Sequence, residues 1–441
     1  MSEDAGSSAK HGLTDGARAG LLERFRGRRP TSAAPSPRRH AESKVPEEFL
    51  RFDRHPVYAR LLISQTAARQ FHIDNPFFRV HEAAAGATTM IGGREYINFS
   101  SYDYLGLNNH PRVKKAAIEA IERYGTSASA SRLVAGERPV QRDLEAALAA
   151  FYGVEACIAF VSGHATNVST IGSLFGPKDL VLHDALAHNS VLEGIKLSGA
   201  HRRSFPHNDW EALDDLLSDI RGGFERVLIV IEGHYSMDGD TPELAHFVEI
   251  KNRHGALLMV DEAHALGVLG STGRGIAEHC GIPGDAVDIW MGTLSKTLAS
   301  CGGYIAGSHA LVELLKYTAP GFVYSVGLSP PLAATALEAL RLVEEEPWRV
   351  QRLRENGQSF LAHARARGIN TGLSQGYSIT AAIIGSSLKA TRLSNSLFEN
   401  GINVQPIIHP AVEEKAARLR FFLSAMHEEE QIRMAIEHLA A

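Results

Sequence analysis

Short apolar segments alternate with helical patterns between residues 111 and 330, and this alternation limits the possible folds more than any other feature of the sequence. The segments 227–231 and 256–260 contain only apolar side chains, without the polar positions of a half-exposed strand. Continuous apolar strands of this length are typical of parallel sheets that are covered on both faces. The alternation therefore predicts an α/β domain with a mostly parallel sheet between layers of helices.

The same patterns divide the chain into four predicted segments. Residues 1–46 are a basic tail that we expect to be mobile, because Ala, Ser, Pro and Arg dominate and no core can form there. Residues 47–110 contribute a helical segment and a strand, and residues 111–330 form the large sheet domain. Two long helices, three strands and a closing helix predict a smaller α+β domain over residues 331–441.

Individual elements follow from the period of the apolar residues. The predicted strands are 94–100, 156–161, 179–183, 227–231, 256–260, 288–291, 304–306, 378–384, 404–408 and 419–423. The predicted helices are 47–71, 113–124, 141–152, 330–346, 348–367 and 428–439. In an open sheet of this type, ligands bind beyond the carboxyl ends of the strands.

Composition and charge indicate an ordinary soluble protein, with 44% hydrophobic and 22% charged residues. The net charge of −5 gives no reason to expect a nucleic-acid partner. The three cysteines are scattered and lack metal-ligand spacing, which predicts a reduced, cytoplasmic protein without a metal site. No apolar run approaches the roughly 20 residues of a membrane span, so we expect no membrane segment.

The stretch 291–303 places Lys296 in a turn of small and hydroxylated residues, directly after an apolar segment. A lysine amine is a useful nucleophile only when its pKa is lowered or a carbonyl group captures it as a Schiff base. The hydroxyls of Thr293 and Ser295 are suited to holding an anion, and the glycine pair that follows lets the backbone approach a flat ligand. Taken alone, the pattern also fits an ordinary surface lysine.

A second feature upstream decides between these alternatives. The apolar strand at 257–261 ends in Asp261, and His264 follows three residues later. A buried aspartate is costly unless it has a cationic partner, and a protonated pyridine nitrogen is such a partner. A strand-end aspartate and a post-strand lysine are what an enzyme that uses pyridoxal 5'-phosphate (PLP) needs.

Together, these two motifs resemble those of fold-type I PLP-dependent enzymes, and specifically of the α-oxoamine synthases. This family includes 8-amino-7-oxononanoate synthase, 2-amino-3-ketobutyrate ligase, 5-aminolevulinate synthase and serine palmitoyltransferase. The resemblance extends from about residue 77 to the C-terminus, and the string EGHYSMDGD at 232–240 is its most specific motif. Tyr102 and the run 129–138 are closer to the serine palmitoyltransferase-like or polyketide-associated branch than to the others.

The resemblance implies a set of cofactor contacts by motif position. Lys296 forms the Schiff base with PLP, and Asp261 keeps the pyridine ring protonated. The other implied contacts are Gly163, His164 and Thr293 at the phosphate, His188 stacked on the ring, and Ser236 and His264 near the phenolic oxygen. Lys296, Asp261, His264 and His188 are the implied catalytic residues. The turn at Gly163 also follows a strand and opens a helix, where backbone N–H groups and the helix dipole favour phosphate.

The resemblance also implies a substrate site in the smaller domain. Arg418 and Arg420 lie at i and i+2 of a predicted strand, so both side chains point to one face. Motif position assigns the substrate carboxylate to Arg420, because a guanidinium binds a carboxylate with two parallel bonds. We interpret Arg418 as part of a structural ion pair and assign Tyr102 to substrate binding.

The reaction implied by the resemblance is a decarboxylative Claisen-type condensation. An α-amino acid and an acyl thioester give an α-amino ketone, carbon dioxide and a free thiol. The thioester is either acyl-coenzyme A or an acyl carrier protein, for which nine basic against five acidic side chains before Val45 offer a docking segment. A PLP-dependent aminotransferase is the alternative, since it would use the same lysine and aspartate.

A homodimer is also implied, although one family feature is missing. Val326 and Gly327 stand where many members place hydroxyl residues that reach the phosphate bound by the neighbouring subunit. This departure concerns the contact across the dimer and leaves the expected homodimer in place. A catalytically silent partner subunit is a further possibility within the family, but such a subunit would be expected to lack Lys296.

Overall fold

The computed structural model describes residues 45–71 and 73–441, so nearly all of the predicted basic tail lies outside the described residues. Contacts divide the chain into two compact units at residues 70 and 71. The described part of the first unit consists of two 3-10 turns and one helix: Glu47–Phe49, Phe52–Arg54 and α1 (Pro56–Gln70). The helix predicted over 47–71 therefore begins only at Pro56, because proline suits the first turn of a helix.

The second unit contains the remaining elements. Its strands are β1 (Thr88–Ile91), β2 (Arg94–Asn98), β3 (Ala156–Phe160), β4 (Leu180–Asp184), β5 (His201–Phe205), β6 (Val227–Glu232), β7 (Leu257–Asp261), β8 (Ile289–Thr293), β9 (Gly303–Gly307), β10 (Ile379–Ile383), β11 (Ile402–Asn403), β12 (Gln405–Ile407) and β13 (Arg418–Phe422). Its helices are α2 (Pro111–Tyr124), α3 (Pro139–Tyr152), α4 (Gly163–Leu174), α5 (Asn189–Ser198), α6 (Trp210–Ile220), α7 (Leu244–His254), α8 (Ile276–Cys280), α9 (His309–Thr318), α10 (Pro320–Val323), α11 (Pro330–Glu345), α12 (Trp348–Ala366), α13 (Ser387–Glu399) and α14 (Glu429–Ala440). Short 3-10 or π-helical turns cover Arg132–Gly136, Arg221–Gly223, Gly284–Ala286 and Glu414–Ala416.

The large sheet has seven strands in the order β3-β9-β8-β7-β6-β4-β5. Neighbours from β5 to β8 run parallel, whereas β9 pairs antiparallel with both β8 and β3. Alternate residues of β3 belong to separate apolar clusters, with Cys157 and Ala159 in one and Ile158 and Phe160 in the other. Both faces of the sheet are therefore covered, which is why its central strands are apolar throughout and the mostly parallel α/β prediction is confirmed.

Strand β5 is an edge strand that the apolar pattern did not predict. His201, Arg202 and Arg203 are exposed, and only Phe205 at its end is buried. Charged side chains on an edge strand discourage pairing with other chains. A search for buried, apolar runs misses such a strand for the same reason.

Two three-stranded sheets complete the unit, in the orders β1-β2-β11 and β10-β13-β12. Strand β13 lies at the centre of the second sheet and is antiparallel to both neighbours, so that Arg420 lies opposite Ala381 and Gln405. This is the smaller sheet predicted near the C-terminus. Within residues 45–71 and 73–441, no helix is both long and apolar enough to cross a membrane.

The parallel strands end at one edge of the large sheet. There β4 ends at Asp184, β6 at Glu232, β7 at Asp261 and β8 at Thr293. Ligands of open α/β sheets bind beyond this edge. The fold therefore collects the polar strand ends where the sequence motifs place the candidate site.

Candidate active site

One cavity of about 270 Å³ lies beyond the carboxyl ends of the parallel strands, and all ten predicted site residues line it. Its lining consists of Tyr102, Gly163, His164, Asn167, His188, Ser190, Glu232, Ser236, Met237, Asp261, Ala263, His264, Met291, Thr293, Lys296 and Arg420. A larger cavity of about 680 Å³ lies elsewhere, beside Val154, Leu257 and Ile289. We place the chemistry in the smaller cavity, because the larger one contains none of the predicted residues.

Lys296 follows β8 and is half-buried at this cavity. Burial lowers the pKa of its amine to about 8, against the opposing attraction of Asp261 and Glu232. Its Nζ lies 5.6 Å from the centre of the Tyr102 ring. A lysine with this pKa is partly uncharged near neutral pH, which makes its amine available as a nucleophile or base.

Asp261 ends β7 and is only 4% exposed. Its Oδ1 accepts from the backbone N–H of Ala263 at 2.9 Å, and its Oδ2 accepts from the Asn167 side chain at 3.0 Å. Among the residues that the structure describes, no basic side chain forms an ion pair with this carboxylate. Since a buried carboxylate is costly without a cation, the site fits a cationic ligand group such as a protonated pyridine nitrogen.

The start of α4 forms a second wall suited to an anion. Ser162 caps this helix, and a Cβ added at Gly163 would lie 2.9 Å from Oγ1 of Thr293. Only glycine lets the helix start approach β8 this closely. The first N–H groups of a helix lack partners inside it, and together with the helix dipole they favour a phosphate at this position.

Three histidines line the same cavity. His188 caps α5 and its Nδ1 lies 2.7 Å from the Ser190 hydroxyl, while its ring makes an edge contact with that of His164. His264 lies 2.7 Å from the Tyr104 hydroxyl through its own Nδ1. Burial lowers the pKa of both His188 and His264, so both are uncharged near neutral pH.

The smaller sheet supplies the opposite wall. Arg420 donates to the backbone carbonyl of Ser236 at 2.9 Å, and its guanidinium carbon lies 4.6 Å from the centre of the Phe422 ring. Within the described part of the chain, Arg420 forms no ion pair with a carboxylate. Arg418, by contrast, is paired with Asp238 at 2.7 Å, which confirms its interpretation as a structural ion pair.

Several lining residues were missed from the sequence. Glu232 lies opposite Asp261 in the register of β6 and β7, and burial raises the pKa of its carboxyl to about 8. Asn167 and Ser190 are also buried, on α4 and at the start of α5. Glu232 ends an apolar strand as Asp261 does, and that shared pattern was the signal available for it.

These groups fit PLP as a whole. An amine suits its aldehyde, a buried carboxylate without a cation suits its ring nitrogen, and a helix start suits its phosphate. The guanidinium without a carboxylate in the opposite wall leaves a place for an acidic substrate group.

Known proteins match this chain over most of its length. The model of the family described as aminotransferase class I and II matches residues 94–439. 8-Amino-7-oxononanoate synthase from Thermoanaerobacter pseudethanolicus is 38% identical over 358 residues, which are 81% of this chain and 90% of the relative. The synthase of the same name from Geobacter sulfurreducens is 41% identical over 364 residues, 82% of this chain and 92% of the relative.

Solved structures agree with these relatives. A serine palmitoyltransferase from Sphingomonas wittichii superposes with a TM-score of 0.83 at 30% identity, covering 87% of this chain and 96% of the other. An 8-amino-7-oxononanoate synthase from Francisella tularensis gives a TM-score of 0.67 at 28% identity, covering 78% and 97%. The chain belongs to the aminotransferase class I and II family and, within it, to the α-oxoamine synthases, fold-type I enzymes that use PLP to condense an amino acid with an acyl thioester while carbon dioxide is lost.

Proposed function

We propose that the walls of the cavity bind different parts of PLP. Lys296 Nζ is the attachment point for the cofactor aldehyde, and the Asp261 carboxylate holds a proton on the pyridine nitrogen. The helix start at Gly163 and His164, with the Thr293 hydroxyl, binds the phosphate. The absence of an ion pair at Lys296 and at Asp261 among the described residues supports these roles.

Three further residues complete the proposed cofactor site. The uncharged imidazole of His188 packs against the ring, since its pKa is lowered by burial. His264 and Ser236 bind the phenolic oxygen. The Tyr104 hydroxyl, 2.7 Å from Nδ1 of His264, leaves the other ring nitrogen to face the cofactor.

The proposed chemistry assigns one task to each wall. Bound PLP supplies an electron sink for the electron pair left at the substrate Cα. With PLP bound, Lys296 Nζ would take the proton from the substrate Cα, and its pKa of about 8 suits a base near neutral pH. Arg420 orients the substrate carboxylate until it leaves as carbon dioxide. The new bond joins Cα to the thioester carbonyl carbon, and the thiolate leaves and takes up a proton. The bond from Cα to the carboxylate then breaks, carbon dioxide leaves, and Cα takes up the proton that Lys296 Nζ holds.

The size of the cavity favours a small amino acid. Its volume of about 270 Å³ must hold both the cofactor and the substrate. Pockets for drug-sized ligands commonly enclose roughly 300 to 1,000 Å³. We therefore expect a glycine, alanine or serine-sized side chain, with the acyl chain of the thioester lying outside the space beside Asp261.

The observation that carries this proposal is one cavity lined by the amine of Lys296, the carboxylate of Asp261 and the guanidinium of Arg420. Enzyme with PLP should be mixed with each small amino acid and a series of acyl-coenzyme A thioesters. Carbon dioxide and an α-amino ketone are expected in equal amounts. A 2-oxo acid and pyridoxamine phosphate without carbon dioxide would instead establish the aminotransferase alternative.

A homodimer is the proposed assembly. Two adjacent loops expose apolar side chains at Leu133, Val134, Tyr324 and Val326, with exposures of 48%, 81%, 87% and 51%. Gly327 N–H donates to the Ala130 carbonyl at 2.9 Å, so the loops form one surface. An apolar surface of this kind suits a second copy of the chain. Light scattering should show dimers for the wild type and for the control Leu314→Asp, and monomers for the double variant Val134→Asp and Tyr324→Asp.

An acyl carrier protein is the proposed alternative to coenzyme A as thioester donor. The support is the excess of basic side chains before Val45, because opposite charges speed the encounter with an acidic partner. Deleting residues 1–46 should slow turnover with the carrier protein at low salt and leave turnover with acyl-coenzyme A unchanged. Equal rates with the carrier protein for both forms would contradict it. A cytoplasmic location, expected from the scattered cysteines, also stays a proposal.

A further inference from the structure

A buried chain of hydrogen bonds joins the acidic end of the cavity to its stacking histidine. The Asn167 side-chain nitrogen donates to Asp261 Oδ2 at 3.0 Å and to the Ser190 hydroxyl oxygen at 2.9 Å. That hydroxyl lies 2.7 Å from His188 Nδ1. Asn167 and Ser190 are 1% and 0% exposed, so water does not compete for these contacts. No motif in the sequence pointed to this connection.

The directions of these hydrogen bonds follow from the groups involved. An amide has two hydrogens on one nitrogen, and Asn167 uses both as a donor. If the amide were turned over, its carbonyl oxygen would face the carboxylate of Asp261, an arrangement without any donor. The observed orientation leaves Asn167 Oδ1 buried and without a partner in the described structure. The two donor contacts therefore determine the orientation of this side chain.

The same reasoning fixes the protons at the other end. The Ser190 oxygen accepts from Asn167, so its single hydrogen is free to point at His188 Nδ1. The backbone N–H of Ser190 points to the same Nδ1 at 3.3 Å. A nitrogen that accepts from two donors carries no proton of its own. His188 is therefore held as the tautomer protonated at Nε2.

We infer that Asn167 is a positioning residue for the reaction: through one amide it orients the Asp261 carboxylate toward the cofactor ring nitrogen and, through Ser190, fixes the tautomer of His188. The inference rests on the proposed roles of Asp261 and His188. Because the same amide of Asn167 contacts both Asp261 and Ser190, a change at Asn167 alters both the orientation of the Asp261 carboxylate and the hydrogen bond to His188. A merely structural asparagine would affect only the stability of the α4 and α5 pair.

The matched variants are Asn167→Leu and Thr170→Val. Leucine has nearly the shape of asparagine without its donors, so the change removes both hydrogen bonds with little change in volume. Thr170 lies one turn further along α4, is also fully buried, and its hydroxyl has no partner within the described residues. Both variants should first be compared by thermal unfolding without cofactor, and Ser190→Ala provides a smaller change that breaks only the His188 end.

The main readout is the protonation of the ring nitrogen, measured by NMR with PLP labelled with ¹⁵N at that position. For Asn167→Leu we expect a shift toward the unprotonated pyridine signal and roughly tenfold weaker PLP binding, as for a lost hydrogen bond to a charged group. Thr170→Val should match the wild type. Ser190→Ala should leave the ring nitrogen signal unchanged and shift the ¹⁵N signal of His188 Nδ1, which loses one of its two donors.

The outcomes separate this inference from the proposed function. Wild-type protein that fails to bind PLP through Lys296 would overturn the proposed function itself. If the wild type binds PLP through Lys296 but the ring nitrogen signal of Asn167→Leu is identical to that of Thr170→Val, only the positioning role of Asn167 would be overturned. If Asn167→Leu does not fold, a ¹⁵N signal of His188 Nδ1 in Ser190→Ala that is the same as in the wild type would overturn it equally.

Discussion

Arg418 and Arg420 lie two residues apart on β13 and point to the same side of the smaller sheet, but their surroundings differ. Arg418 is 7% exposed and pairs with Asp238 at 2.7 Å. Arg420 faces the cavity and donates to a backbone carbonyl, with no carboxylate partner among the described residues. One charge is compensated within the fold, whereas the other remains available for a ligand.

The same contrast exists between the carboxylates around His207 and the charged groups of the cavity. His207 lies 2.9 Å from both Asp184 and Asp240, so both carboxylates have a basic partner. In the cavity, Lys296 and Asp261 have no ion pair within the described structure. Compensated charges should therefore contribute to folding stability, and uncompensated ones to binding and catalysis.

The largest expected effect is at Lys296. Changing Lys296→Ala should abolish turnover and the cofactor that borohydride fixes to the protein, because no other amine of the described residues lines the cavity. The measurements are product formation and mass spectrometry of the reduced protein. Full activity of this variant would refute the proposed site.

Lys251 is the matched control for that experiment. It is 8% exposed and pairs with Asp288 at 2.7 Å, away from the cavity. Lys251→Met should keep the fixed cofactor and lower the unfolding temperature, because Asp288 loses its partner. If Lys251→Met lost the cofactor as Lys296→Ala does, while keeping the stability of the wild type, the ion pair of Lys251 would not distinguish it from Lys296.

Asp261→Asn should retain PLP but lower turnover by about 100-fold or more, as for loss of a preorganised charge at a reacting group. The neutral amide no longer holds a proton on the ring nitrogen, so the electron sink weakens. Steady-state rates and the absorbance of the bound cofactor measure this. A variant that unfolds instead would show that Asp261 serves the stability of the fold rather than the cofactor.

The arginine pair gives the most direct test of the contrast. Arg420→Ala should raise the KM for the amino acid by about 100-fold, as for the loss of hydrogen bonds to a charged group, with the unfolding temperature nearly unchanged. Arg418→Ala should leave KM nearly unchanged and destabilise the fold by about 3 kcal/mol, since Asp238 is left buried and unpaired. A raised KM for Arg418→Ala together with a destabilised fold for Arg420→Ala would assign the substrate carboxylate to Arg418 instead.

The sequence predicted those site residues that belong to a recognisable motif, and it missed those whose role depends on contacts between distant parts of the chain. Lys296, Asp261 and Arg420 each follow or occupy a strand in a motif that resembles those of the α-oxoamine synthases, so the motifs identified them as candidates. Asn167 lies inside a helix, and its partners Asp261 and Ser190 are distant in sequence. Such a residue has no local pattern, because its role comes from the packing of α4 against α5 and β7.

The fold was predictable for a similar reason. Buried parallel strands appear as apolar runs, so every strand predicted from 156 to 423 has a counterpart in the structure. The exposed edge strand β5 and the two-residue strand β11 have no such run. The proposed boundary between the large and the small domain near residue 330 stays a prediction, since residues 71–441 form one compact unit.

The smallest effect is expected at His207, where charge compensation should depend on pH. Burial opposes the charged imidazole, but its hydrogen bonds to Asp184 and Asp240 prevail and raise the pKa of His207 to about 10. In the unfolded chain this pKa returns to about 6.5, so the ion pairs stabilise the fold fully below that pH, and the gain disappears as pH rises toward 10. His207→Gln should therefore lower the unfolding temperature at pH 6.5 more than at pH 10.

The control for this prediction is His201→Gln. His201 is exposed on β5 and forms no ion pair with any described residue, so its replacement should change the unfolding temperature little and equally at both pH values. Thermal unfolding at the two pH values measures both variants. The effect of His207→Gln should remain modest, because glutamine keeps one hydrogen bond to a carboxylate and the histidine is partly hydrated. A stability difference that grows toward pH 10 would mean that Asp184 and Asp240 are compensated by something other than a charged imidazole.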